Sequence, residues 1–300
     1  MLTKKWWRCI KNPLLPIIIV AILCLALILP LGIPVLASDP TYSGGSGSSS
    51  DPYIIANKTD LDAMATFYQG SGAMTVYYYS LSNDINLTST SLPIGIPAVP
   101  FNGHFNGNGH VISGLTIIGN LDNRGLFGVT SDATITSLGL QGVTISGNTN
   151  VGGLIGEENE NTGGNSISNC WVSGTVTGNN CVGGLLGEYI GNYIAGYDAG
   201  DSISNCYSTV IVNGINSSQN VGGLVGYVQY GSLNNCFASG AVTGNQQIGG
   251  LVGGSQDLNM SYCYATGNVS GNETGTVIGL GGVGGEWYGV LWHDNSKLLH

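Results

Sequence analysis

The sequence predicts an all-β solenoid, a stack of short parallel strands closed at its N-terminal end by a helix-containing cap. Three observations carry that reading. First, one glycine pair with one apolar trio occurs four times, as NVGGLIGE from Asn150, CVGGLLGE from Cys181, NVGGLVGY from Asn220 and QIGGLVGG from Gln247. A catalytic loop is built once, whereas an element that can bury its apolar face only against a copy of itself is repeated. Second, only 8% of residues are charged while Gly reaches 50 of 300, so amides and hydroxyls must solvate the surface. Third, 42% of residues are apolar and fall in short runs of alternating polarity, the strand period, which separates the chain from a disordered one.

The elements follow in order. Lys4, Lys5, Arg8 and Lys11 precede an apolar run from Leu14 to Leu29, and Val35-Leu36-Ala37 offers short residues at a peptidase site, so residues 1–37 read as a signal peptide or an N-terminal membrane anchor. Beyond them Lys58, Arg124 and Lys297 face 17 acidic residues, a net charge of −14 that argues against nucleic acid and leaves the membrane only the N-terminal segment. Residues 38–52, SDPTYSGGSGSSSDP, read as a flexible Gly/Ser linker. Residues 53–100 form the cap and first strands, with a helix whose N-cap is Thr59, whose capping-box acid is Asp62, and whose buried face is Leu61, Met64, Ala65 and Tyr68.

Residues 101–285 are the coils, and 286–300 a C-terminal tail. Ile167-Ser-Asn-Cys170, Ile203-Ser-Asn-Cys206, Leu233-Asn-Asn-Cys236 and Met260-Ser-Tyr-Cys263 align, and a glycine follows each first residue by eleven positions at Gly178, Gly214, Gly244 and Gly271. A weaker copy begins at Ile135, with Leu138 in the cysteine place and Gly147 one residue late, as a bulge allows. Asn169, Asn205 and Asn235 suit left-handed corners. Alternation then turns the four cysteines inward as buried free thiols and leaves Cys181 in a reactive loop. The stretches from Glu157, Glu188, Tyr227 and Gly254 read as loops leaving one corner.

The VGGLIG, VGGLLG, VGGLVG and IGGLVG blocks, each followed by an I-S-N-C type strand, resemble the GLUG repeat over about residues 101–285. That resemblance implies a right-handed parallel β-helix of secreted or surface proteins, adhesin-like in character. It supplies no catalytic residue, because the repeat has none.

A lyase of this shape needs a basic residue near an acidic sugar, and in the coils only Arg124 could serve. A hydrolase needs paired carboxylates; Asp198 with Asp201, and Glu157 with Glu158 and Glu160, fall in loops, away from any basic partner. His104 and His110 lack a third metal ligand, and Gly279, Gly281 and Gly284 lack the strand and helix that a dinucleotide fingerprint requires. The expectation is therefore no catalytic residue, no metal and no cofactor, and a non-enzymatic exported surface module for adhesion or interaction, with a carbohydrate-active β-helix enzyme as the alternative. Trp171, Tyr207, Phe237 and Tyr264 follow the four cysteines, so alternation stacks them outside as the candidate binding stripe for a surface glycan or an envelope protein.

Overall fold

The computed structural model describes residues 40–70, 75–159, 165–191, 193–194, 197–198, 202–271, 280–281 and 284–288; residues 1–37 and the end of the tail lie outside them. The described residues form a parallel β-solenoid. Its first face is one continuous rung ladder in which Tyr53 pairs Tyr79, then Phe105, Ile135, Ile167, Ile203, Leu233 and Met260 in turn. A second face stacks Ile112, Leu140, Val172, Ser208, Ala238 and Ala265, and a third stacks Phe127, Ile155, Leu186, Val225 and Val252. Nearly all of these side chains are buried, so the core is a set of columns running along the axis.

Left-handed residues turn the chain between faces, and they too form columns. The first holds Ser137, Asn169, Asn205, Asn235 and Tyr262, with φ of 52° to 55°, as the asparagines predict. The second holds Asn123, Asn150, Cys181, Asn220 and Gln247, and the third Asp132, Tyr230 and Asp257. Asparagine tolerates this backbone because its short amide bonds locally; the Asn235 amide also donates to Asn205 Oδ1 at 2.7 Å in the coil before.

The glycine blocks answer the question their repetition poses. A Cβ on Gly226 would lie 2.5 Å from Cys181 C, Val182 N and Gly187 O, three backbone atoms of the preceding coil. A Cβ on Gly153 would lie 2.5 Å from both Gly184 O and Val172 Cγ1. Backbone meets backbone there, so only glycine fits.

Helix α1 (Lys58–Phe67) buries Asp60, Leu61, Met64 and Ala65, with Tyr68 just beyond its end against Tyr79 and Phe101. Its start corrects the expected cap. Asn57, not Thr59, is the N-cap and accepts from Asp60 N at 3.1 Å, while the buried Asp60 carboxylate reaches back to Ala56 N at 2.8 Å. Asp62 instead pairs with Lys58 one turn earlier.

Two further expectations are corrected. The Gly/Ser stretch is no free spacer from residue 40 on, because Ile54 N donates to Gly44 O and Tyr78 N to Gly47 O, at 2.8 and 3.0 Å, which adds backbone to the first coils. Its glycines let the chain lie flat: Gly47 sits against the Tyr53 ring. The segments from Tyr227 and Gly254 are not loops but parts of the strands Val225–Asn234 and Val252–Ser261, paired continuously from Val225↔Val252 to Asn234↔Ser261. Nor do all insertions leave one corner. Gly178 pairs Gly214, but Asn180 pairs Gln219, so a second insertion opens between them. The bulge that makes Gly147 one residue late is present at Gly142, where the register shifts between Leu140↔Val172 and Val143↔Gly174.

Candidate functional site

The outward stripe grows from the corners. Each left-handed residue reverses the chain one position before a cysteine, which turns inward, and the next residue must point outward. Trp171, Tyr207, Phe237 and Tyr264 are therefore rung partners. Their rings stack nearly parallel, with centroids 5.9, 4.8 and 5.2 Å apart and interplanar angles of 6°, 3° and 4°. Trp171 ends the stack by lying over Gly139, where a Cβ would sit 2.6 Å from indole atoms. The first three rings are half-buried and Tyr264 is 52% exposed, so the stripe is open to solvent at its Tyr264 end. Ile211 on the same outer side and Tyr262 at the adjoining corner, 71% exposed, extend it. Because the rings cover one another's faces, the stripe presents edges, with phenol and indole donors among them.

Behind the stripe the cysteines form the expected column. Cys170, Cys206 and Cys236 are buried and free, while Cys263 is only half-buried. Each Sγ donates to the carbonyl two residues earlier, at 3.2, 3.1, 3.3 and 3.2 Å, so the thiols are satisfied in place. Contact with a neighbouring thiol and burial hold Cys206 above the usual thiol range and push Cys236 up to about 12.

Cys181 does not lie in a reactive loop. It occupies the second left-handed column and is buried, its Sγ accepting from Asn220 Nδ2 at 3.8 Å, and burial with nearby Glu188 pushes its thiol up to about 12. That corner also holds a pair that sequence reasoning placed in loops: Glu157 and Glu188 are rung partners on the strands Ile155–Glu158 and Leu186–Ile190. Burial, and then the Glu157 carboxylate, raise Glu188 above the usual range, while Asn150 opposes the shift. Glu158 turns inward and meets Asn165. The repeated GLxGE spacing was the signal for this pair, since equal spacing in consecutive coils implies equal register.

The other named residues do not converge. His104 stacks on Tyr78 at 4.3 Å, with its imidazole lowered by burial, and His110 Nδ1 meets Asp84 Oδ1 at 3.1 Å. No group of three metal-binding side chains occurs among the described residues. Asp201, Glu160 and Gly279 lie outside the described residues.

Fold and stripe together define a repeat-built parallel β-solenoid whose coils are spaced by backbone-to-backbone glycine contacts. Residues 217–243 and 244–270, one coil each, match the GLUG motif, so two of the coils are GLUG repeats. Over 122 residues it is 35% identical to a protein described as a Gly-rich membrane protein of Evansella cellulosilytica, a match covering 37% of this chain and 14% of that one. Over 149 residues it is 33% identical to halomucin of Haloquadratum walsbyi, covering 44% of this chain and 2% of halomucin. The chain thus spans a small part of either relative's length. A crystal structure described as an immunoglobulin A1 protease from Bacteroides ovatus shares the fold, with a TM-score of 0.67 and 24% identity over 80% of this chain and 74% of that one.

Proposed function

We propose that this chain is an exported, non-enzymatic surface solenoid that acts as an adhesion or interaction module, with the Trp171–Tyr207–Phe237–Tyr264 stripe as its contact surface. The observation that carries the reading is the solvent-facing run of stacked rings, flanked by exposed Ile211 and Tyr262. Aromatic side chains dominate interaction hot spots because they bury large area at small entropic cost. Tyr207 and Phe237 have rings on both faces, which favours an envelope protein over a glycan along the middle of the stripe, since a sugar ring stacks on open aromatic faces. The surface location is supported by the relatives' names, a membrane protein and a halomucin.

The test uses Tyr262→Asn with Tyr264→Thr. Asn is the residue that other coils carry at that left-handed corner, so the double variant keeps the fold while deleting the exposed end of the stripe. The full-length chain is expected to bind intact cell envelopes saturably, to lose that binding when envelope proteins are digested, and to lose it in the double variant with an unchanged melting temperature. Binding abolished by periodate but not by protease would move the partner to a glycan. Among the described residues, the Glu157–Glu188 rung pair speaks for the carbohydrate-active alternative, as adjacent carboxyls suit glycosidic chemistry. Product release from a polysaccharide panel, lost in Glu188→Gln, would replace the non-enzymatic reading.

A further inference from the structure

The column of residues that opens each glycine block contains one exception. Val151, Val182, Val221 and Ile248 are rung partners and fully buried. In the first coil the partner of Val151 is Arg124. Its stem packs where the later coils place a branched apolar side chain, close enough that a Cβ on Gly147 would meet its Cγ at 2.7 Å. Among the described residues, its buried Nε has no hydrogen-bond partner and its guanidinium no ion pair. The nearest acid, Asp122, is already engaged, with Oδ1 accepting from Asn148 Nδ2 at 2.9 Å and Thr149 N at 3.1 Å.

Arg124 lines a pocket of ≈ 290 Å³ whose other walls are apolar at Leu92, Pro93, Ile96, Pro97 and Leu121 and polar at Gln69, Asp122 and Asn123. The proline wall is fixed from behind, since Gln69 Nε2 donates to Pro93 O at 2.9 Å. Burial lowers the guanidinium's pKa, as expected for a cation short of compensation.

We propose that this pocket binds the carboxylate end of a peptide chain whose last residue is aliphatic. A guanidinium fork matches one carboxylate in two parallel hydrogen bonds, and it supplies the donors left over here. One side of the pocket, Leu92, Pro93, Ile96, Pro97 and Leu121, is aliphatic and proline without an aromatic ring and suits a leucine- or valine-sized side chain, while Gln69, Asp122 and Asn123 make its polar side. The volume holds about one residue, being near the lower bound of roughly 300 Å³ for small-ligand sites. The strongly acidic chain, with Asp122 in the lining itself, repels a polyanion and leaves room for a single carboxylate seated at Arg124, with charges beyond about 8 Å screened at physiological salt.

The test is calorimetric titration of the full-length chain, in mild detergent at about 150 mM salt, with N-acetyl-L-leucine, N-acetyl-L-leucinamide and methyl β-D-glucuronide. Saturable binding of N-acetyl-L-leucine in the millimolar range or tighter is expected, weakened about tenfold or more for the amide and for Arg124→Gln, because both lose the charge-assisted pair. Leu121→Asp, at an exposed side chain that folding does not need, serves as a second variant and should weaken binding similarly. No saturable binding, equal binding of the amide, or full binding in both variants overturns the proposal. Arg124-dependent preference for the glucuronide overturns it too, by assigning the pocket to an acidic sugar.

Discussion

Gly226→Ala tests the construction of the coil most directly. The added Cβ would stand 2.5 Å from three backbone atoms of the coil before, Cys181 C, Val182 N and Gly187 O, against an ordinary contact of 3.4 Å, a shortfall of 0.9 Å. No side chain can rotate away, so the coil carrying Gly226 must shift by nearly that distance. The bonds that hold the two coils together there, Leu185 N to Leu224 O at 2.8 Å and Leu186 N to Leu224 O at 3.1 Å, then stretch beyond useful length. Two such bonds are worth about 1 kcal/mol each, and misfit of the buried core adds about 1–3 kcal/mol, which together predict a loss near 3 kcal/mol or more. Gly119→Ala is the control, with nothing within 4 Å of its Cβ, and should change stability by less than about 0.5 kcal/mol. Gly142→Ala, equally open but at φ +64°, should cost only left-handed strain of about 1 kcal/mol. Urea denaturation of the three variants, with hydrogen exchange at Leu185 and Leu186, reads the order. A Gly226→Ala chain no less stable than Gly142→Ala would refute the close-approach argument.

Two more outcomes follow from the interior and the acidic corner. Native treatment with iodoacetamide at mildly alkaline pH should modify Cys263 first and leave Cys170, Cys181, Cys206 and Cys236 unmodified until denaturant is added; rapid native labelling of the three fully buried column thiols, read by mass spectrometry, would contradict their register. Glu188 has its pKa raised in the folded state, so the stability its protonated form contributes is full below the unfolded value of about 4.3 and disappears as pH rises through the folded one. Glu188→Gln should therefore raise the melting temperature at pH 7 and leave it unchanged at pH 4, and a variant destabilised at pH 7 would show that the carboxylate is compensated.

What the sequence made legible was whatever repeats. The cysteine column, the asparagine corners and the aromatic stripe all follow from aligning four copies, because parallel coils carry equal spacing into equal register. What it hid were the places where identity in the copies breaks. Cys181 stands where Asn150 and Asn220 stand, and reading it as a loop thiol overlooked that its column is a corner. Residues 40–52 look like a spacer because they lack an apolar period, yet they are held through backbone groups that carry no sequence signature. The Tyr227 and Gly254 segments were read as loops from their polar residues, but a solvent-facing strand in a solenoid needs only inward alternation, which Val228 and Leu258 supply. Thr59 has the N-cap residue type, but Asn57 takes that place because Asp60, three residues on, donates its N–H to Asn57 Oδ1 and reaches the backbone behind with its carboxylate.

In-register stacking also accounts for the composition. Every outward side chain faces its own counterpart about 4.8 Å away in the next coil. Two like charges at that distance repel by about 1 kcal/mol even in water, and by more where partly buried. Neutral groups gain instead: Gln219 donates to Gln246 at 3.0 Å, Gln229 to Gln256 at 3.1 Å, and Thr243 meets Ser270 at 3.1 Å. Aromatic rings gain likewise by stacking. A solenoid of this register therefore selects amides, hydroxyls and rings for its surface and excludes charge, which is the 8% read at the outset. Where two carboxylates do share a rung pair, at Glu157 and Glu188, the pKa shift registers the cost. By the same logic the lone cation of the described coils, Arg124, stands in the first glycine block where no Arg stacks upon it. A half-buried guanidinium repeated in the next coil would repeat its desolvation and add repulsion, so this register favours a single copy.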